Sequence, residues 1–206
     1  MNASGRSRLQ IVILAAGRSS RLGTPKALAR VHGISLLRRT LLTVDGLSAL
    51  RPIVVHARNS PRHFIEARSI QCRFVINTRP ADGLSRSVRL AIKLSQHSPG
   101  VLLLPVDLVR LRRRDLQMLI LRWFASRRRV AARRLGRQAA TPLILPRWLY
   151  PRASALSGDR GLRDLVGALP AQTRVLVDLP SAASDVDTPE DLRAARLILR
   201  CSTTSH

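Results

Sequence analysis

Strand-length apolar runs and helical patterns take turns along this chain, and that alternation leaves few folds open to it. "LQIVIL" (residues 9–14), "PIVVHA" (52–57), "FVI" (74–76), "VLLLPVD" (101–107) and "RVLVDL" (174–179) read as strands, rich in branched residues and apolar on both alternating faces. Between them, "SLLRRTLLTV" (35–44) repeats leucine at helical spacing, and "GLSRSVRLAIKL" (83–94) opens on small residues suited to a cap. "DLQMLILRWFA" (115–125) reads as a helix capped by Asp115, and "TPEDLRAARLIL" (188–199) as one capped by Thr188 with Pro189 in its first turn. This order predicts an α/β fold: a three-layer α/β/α arrangement with a mostly parallel central sheet and helices on both faces.

At 206 residues the chain fits one domain, expected over residues 9–200, with loose tails at 1–8 and 201–206. No apolar stretch is long enough for a membrane span, and the first residues lack the pattern of a signal peptide, so a cytoplasmic location is expected. Cys72 and Cys201 have no metal-ligand spacing and read as inert thiols. The net charge of +24 invites a nucleic-acid reading, since basic surfaces attract polyphosphates. The distribution argues against it: only Lys26 and Lys93 are lysine, the arginines are scattered through nearly every segment, and aromatic residues are 3%, too few for base stacking. The densest runs, "RLRRR" (110–114) and "RRRVAARR" (127–134), read as solvated helix faces and loop edges.

In open α/β sheets ligands sit beyond the carboxyl ends of the strands, and three such places carry chemistry. After the first strand, Ala15, Ala16 and Gly17 allow close backbone approach, while Arg18, Arg21 and Lys26 can neutralise phosphates. The spacing is not that of a Walker loop. Asp107 follows "VLLLPV", where a carboxylate can bridge a hard cation to phosphate oxygens or simply cap a loop. "SDVDTPEDL" (184–192) clusters four acids in a chain with 12, and Asp185 or Asp187 can serve a metal or the following helix N-terminus.

Taken together, these segments resemble a known family. "LAAGRSSRLGTPKAL" (14–28) resembles the L-A-A-G-x-S-x-R-x-G-x-P-K signature of MobA-like nucleotidyltransferases, especially the branch of molybdenum cofactor cytidylyltransferases. "NTRPADGLSRSVRLAI" (77–92), "LLLPVDLV" (102–109), "LSGDRGLRDLV" (156–166) and "DVDTPEDL" (185–192) resemble that branch's later motifs in order. The resemblance implies a Rossmann-like nucleotidyltransferase fold. It implies that Leu14, Ala15, Ala16, Gly17, Arg21, Lys26, Ser85 and Ser87 bind the nucleotide, with Lys26, Arg21 and Asp107 catalytic. Asp107 and Asp187 would hold Mg²⁺ or Mn²⁺, and Thr141, Pro142, Gly158, Asp159 and Arg163 would shape the acceptor side. For the serines a plain helix cap, and for the last three residues a structural turn with a surface arginine, stands beside those roles.

The implied reaction transfers CMP from CTP to the phosphate of a molybdopterin-type cofactor with release of pyrophosphate. A sugar phosphate or other phosphorylated acceptor is the alternative, as is a non-catalytic cofactor chaperone of the same fold. A molybdoenzyme or its maturation factor would be the protein partner, with no membrane or nucleic acid involved. Three departures stand out: Val109 where the family has proline, Thr141 where it has histidine, and Pro80 where it has tryptophan.

Overall fold

The computed structural model describes residues 8–17, 22–57, 62–157, 161–182 and 185–201. In chain order, β1 (Gln10–Ala15) is followed by a small hairpin, β2 (Arg30–Val31) and β3 (Ile34–Ser35), and by α1 (Leu36–Val44). Then come β4 (Ile53–Ala57), α2 (Arg62–Glu66), β5 (Arg73–Asn77), α3 (Leu84–Leu94), β6 (Gly100–Pro105) and α4 (Arg113–Phe124). The chain continues through β7 (Val130–Leu135), β8 (Gln138–Pro146), α5 (Tyr150–Ser154), α6 (Leu162–Gly167), β9 (Arg174–Val177) and α7 (Pro189–Cys201).

The main sheet has seven strands in the order β5-β4-β1-β6-β8-β7-β9. Only β8 runs against the rest, pairing antiparallel with both β6 and β7. The mostly parallel sheet expected from the sequence is therefore what forms. β1 lies inside it, third from the β5 edge, parallel to β4 on one side and β6 on the other. Its side chains explain the continuous apolar run: Ile11, Ile13 and Ala15 enter one buried cluster, Val12 and Leu14 the other. A strand covered on both faces cannot alternate apolar with polar. Leu36, Leu37 and Leu41 of α1 and Leu116 and Leu119 of α4 cover the first face; Val88, Ala91 and Ile92 of α3 and Val166 of α6 cover the second.

Two features differ from expectation. "RRRVAARR" is not a solvated helix face: it contains β7, where Val130, Ala131 and Ala132 are fully buried and Arg133 is 6% exposed. Small residues gave that strand a weak pattern, yet they suit it, because it must pack between β8 and β9. Asp115 is not the cap of α4 either. It lies in the first turn, buried, and accepts from the Arg112 N–H at 3.3 Å, so the helix starts two residues earlier, at Arg113. Among the described residues, no helix is long and apolar enough to cross a membrane.

Outside the strand ends, a buried polar cluster joins β4 to α2. His56 and His63 are nearly inaccessible, with ring centroids 5.3 Å apart and edge to face. Neither ring nitrogen of His63 has a hydrogen-bond partner among the described residues. Burial, with a smaller contribution from His56 and an opposing one from Glu66, lowers the pKa of His63 to about 4. The folded state thus holds His63 neutral, while the unfolded chain protonates it near its ordinary value of 6.5. Its contribution to stability is complete above that value and falls as pH drops from 6.5 toward about 4. The shift corresponds to a loss of about 3 kcal/mol across that window. In urea denaturation from pH 7 to pH 4, His63→Leu is expected to flatten this limb of the stability profile; an unchanged slope would remove His63 as its source.

Candidate active site at the carboxyl ends of the central strands

The chain leaves β1 toward β4 and returns toward β6, so a crevice opens beyond the carboxyl ends of β1 and β6, where such sheets receive ligands. A cavity of about 370 Å³ lies there. One wall is the end of β1 and its turn, Leu14 to Gly17; another is Pro105, Val106 and Asp107 at the end of β6; the turn into α3 and its first helical turn, from Pro80 to Ser87, complete the lining. Among the described residues, a Cβ added to Gly17 would meet nothing within 4 Å, so their packing does not require glycine there. A larger hollow of about 500 Å³ lies between the β2–β3 hairpin and α7. Its arginines have partners already: Arg193 bonds Glu190, Arg196 bonds the Arg30 carbonyl, and Arg30 bonds Glu66.

Lys26 is the centre of charge in the strand-end cavity. It follows Pro25 at the start of a short 3₁₀ turn whose next residue, Ala27, is buried against the core. The Lys26 Nζ lies 3.0 Å from Asp107 Oδ2 and 2.5 Å from Asp187 Oδ1. Burial by itself would lower the pKa of this ammonium; the hydrogen bonds and charges of Asp187 and Asp107 outweigh it and hold the pKa above its ordinary value. One cation therefore joins carboxylates 80 positions apart in the chain.

Backbone bonds bring those carboxylates together. The Asp107 carbonyl accepts from Val109 N–H at 2.8 Å and from Val186 N–H at 3.2 Å. Val186 is buried, so it anchors the loop while its neighbours Asp185 and Asp187 project outward. On the far side, Asp191 accepts from the N–H groups of Asp187 and Thr188 at 2.9 and 2.8 Å, and Thr188 Oγ1 accepts from Asp191 N–H. That reciprocal cap starts α7 and fixes the backbone of Asp187. The departure at Val109 has a physical consequence here, because proline has no N–H to donate to Asp107.

Of the residues singled out from the sequence, Leu14, Ala15, Ala16, Gly17, Lys26, Ser87, Asp107 and Thr141 line one cavity, with Asp187 joined to it through Lys26. Ser87 accepts from Asn77 Nδ2 at 3.1 Å. Ser85 does not line the cavity; it is buried in the first turn of α3, and its hydroxyl donates to the Asp82 carbonyl at 3.2 Å rather than capping the helix, whose N-cap is Gly83. Pro142 is buried in β8 behind Thr141, and Arg163 lines an adjoining cavity instead. Arg21, Gly158 and Asp159 lie outside the described residues.

Sequence reasoning missed Arg133, hidden in an arginine run, and the boundary position of Asp185, which lines both cavities. Burial and the Asp107 carboxylate raise the Asp185 pKa, with Arg133 opposing them.

Two carboxylates meeting one cation suit Mg²⁺ or Mn²⁺, which bind through one or two carboxylates plus phosphate oxygens and water. Among the described residues, no group of three or more His, Cys, Asp or Glu side chains forms an all-protein cage.

Comparison with known proteins agrees with this geometry. Residues 11–174 match the MobA-like NTP transferase domain. A probable molybdenum cofactor guanylyltransferase of Rhodopirellula baltica is 30% identical over 191 residues, covering 88% of each chain. A solved Mycobacterium tuberculosis H37Rv protein superposes with a TM-score of 0.74 at 24% identity, over 93% of this chain and 99% of that one. The structure of the same mycobacterial protein in complex with manganese gives 0.72 at 21% identity, over 93% and 99%. A nucleotidyl transferase of Methanothermobacter thermautotrophicus gives 0.74 at 19% identity, over 94% and 99%. With the strand order, the crevice and the match over most of its length in agreement, this chain belongs to the MobA-like NTP transferase family of nucleotidyltransferases.

Proposed function

We propose that this protein transfers a nucleoside monophosphate from a nucleoside triphosphate to the phosphate of a molybdopterin-type acceptor, with CTP as the preferred donor. The supporting observation is the single ammonium of Lys26 held between Asp107 and Asp187 at the mouth of a cavity walled by small residues. An acceptor phosphate oxygen forms a bond to the α-phosphorus as the bond from that phosphorus to the β-phosphate bridging oxygen breaks, and the electron pair leaves with pyrophosphate. A phosphate is already nucleophilic, so the protein's work is positioning and stabilisation of developing charge.

Asp107 and Asp187 would hold a divalent cation, which when bound orients and polarises the α-phosphate. Lys26 then neutralises the charge that grows on the leaving pyrophosphate, a role Arg21 would share. The backbone from Ala15 to Gly17 admits the triphosphate, and the surplus of arginine attracts anionic substrates. Such a reaction belongs in the cytoplasm, upstream of a molybdoenzyme or the factor that matures it.

Donor choice rests on Ala16, 4% exposed at the cavity wall. Its methyl group advances the wall where glycine would leave bare backbone, which favours a pyrimidine over a purine. The Rhodopirellula baltica relative, named as a guanylyltransferase, supports GTP as the competing donor. A sugar phosphate is the competing acceptor, because the family's histidine near the acceptor is Thr141 in this chain.

Pyrophosphate release, measured with each nucleotide against molybdopterin and common sugar phosphates, tests the proposal. Asp107→Asn is expected to fold and to lose cation-dependent turnover, and Lys26→Ala to lose about two orders of magnitude, the scale of one charged transition-state contact. Turnover at the unmodified rate in either variant would contradict the assigned role. With equal CTP and GTP, CTP is expected to be consumed first by roughly 10–200-fold, the range set by one methyl group. Ala16→Gly should relax that preference, and GTP consumed first by the unmodified protein would overturn the donor assignment.

A further inference from the structure

A second cavity of about 360 Å³ adjoins the first, and the two share Leu84, Thr141 and Asp185. Arg133 and Arg163 line only the second. Arg133 enters it from β7 directly after the point where the register with β8 shifts, between Ala132 and Arg133. Arg133 is 6% exposed, yet its guanidinium is poorly matched. One terminal nitrogen donates to the Ala182 carbonyl, the same nitrogen stands 3.7 Å from Asp185 Oδ1, and Nε has no hydrogen-bond partner among the described residues. At 3.7 Å the Asp185 contact is an ion pair but too long for a hydrogen bond. A buried guanidinium carries five donors in a rigid fork, and leaving its charge this incompletely answered is costly unless an anion completes the site.

We propose that Arg133 anchors an acceptor-side anion seat, in which the phosphomonoester of the acceptor replaces Asp185 as the partner of the guanidinium. The seat rests on the nucleotidyl-transfer function proposed above. It lies where the geometry requires, since an attacking phosphate must border the nucleotide cavity, and Thr141 and Asp185 form that border. Arg163, exposed on α6, adds a second cation at the mouth. Arginine matches phosphate with paired parallel donors, which positions an oxygen as well as attracting it. Asp185, placed between the cavities, competes for the same guanidinium and sets how tightly the anion is held.

The test reads binding of inorganic phosphate to the full chain by calorimetry, without turnover, so a failed donor or acceptor assignment leaves the result interpretable. Arg133→Gln keeps a polar amide in the buried position and removes the charge; it is expected to weaken phosphate binding at least tenfold. Arg152→Gln, an equal change of charge at an exposed position on α5, is expected to stay within twofold. Asp185→Asn is expected to tighten binding at least threefold, against no such gain in Asp178→Asn, whose side chain is 76% exposed. Equal effects of Arg133→Gln and Arg152→Gln would overturn the seat. Should Arg133→Gln fail to fold, the aspartate pair decides: equal effects of Asp185→Asn and Asp178→Asn overturn it, and a gain confined to Asp185→Asn upholds it.

Discussion

The contact of Lys26 with Asp107 and Asp187 is the interaction on which the site depends. Three charges brought within hydrogen-bond distance are stable only because they alternate in sign, and the ammonium answers both carboxylates at once. Removing it would leave two acids facing each other, which is unfavourable unless another cation takes its place. The same arrangement therefore organises the mouth of the cavity without ligand and defines where a cation and a triphosphate would enter.

The scaffold serves this contact with backbone bonds, which hold position better than flexible side chains can. The β1–β6 ladder continues past the strand as Val106 N–H meets the Leu14 carbonyl, so the turn after β1 and the approach to Asp107 are tied together. The Asp107 carbonyl then holds the loop of Val186, and the cap between Thr188 and Asp191 holds the other end of that loop. Sheet, loop and α7 thus converge on one point, each through groups that must find partners in any case when buried.

Much of the fold was legible because a centrally placed parallel strand has a strong signature. β1, β4 and β6 show it as unbroken apolar runs, and Ser35 and Thr188 mark helix starts by capping chemistry. β7 and β8 were not read from the sequence: alanines and arginines dominate β7, so no periodicity distinguishes it from a basic loop, and Gly136, at φ 58° in the turn between the two strands, is the local mark of the hairpin. In the site, Lys26, Asp107 and Ala16 could be found by their place after strands. Arg133 could not, because its burial comes from the irregular pairing of β7 with β8, which leaves no mark in local sequence. Ser85 illustrates the opposite case, a motif position whose hydroxyl is spent on the carbonyl of Asp82 in the preceding turn.

The central claim is that Asp107 and Asp187 form the cation seat of a triphosphate site organised by Lys26. Its most direct test is Mn²⁺ binding, followed by electron paramagnetic resonance with a nucleoside triphosphate present. The unmodified chain should retain Mn²⁺ beyond what the nucleotide alone holds, and a folded Asp107→Asn, Asp187→Asn double variant should lose that excess. Equal retention by both proteins would contradict the account.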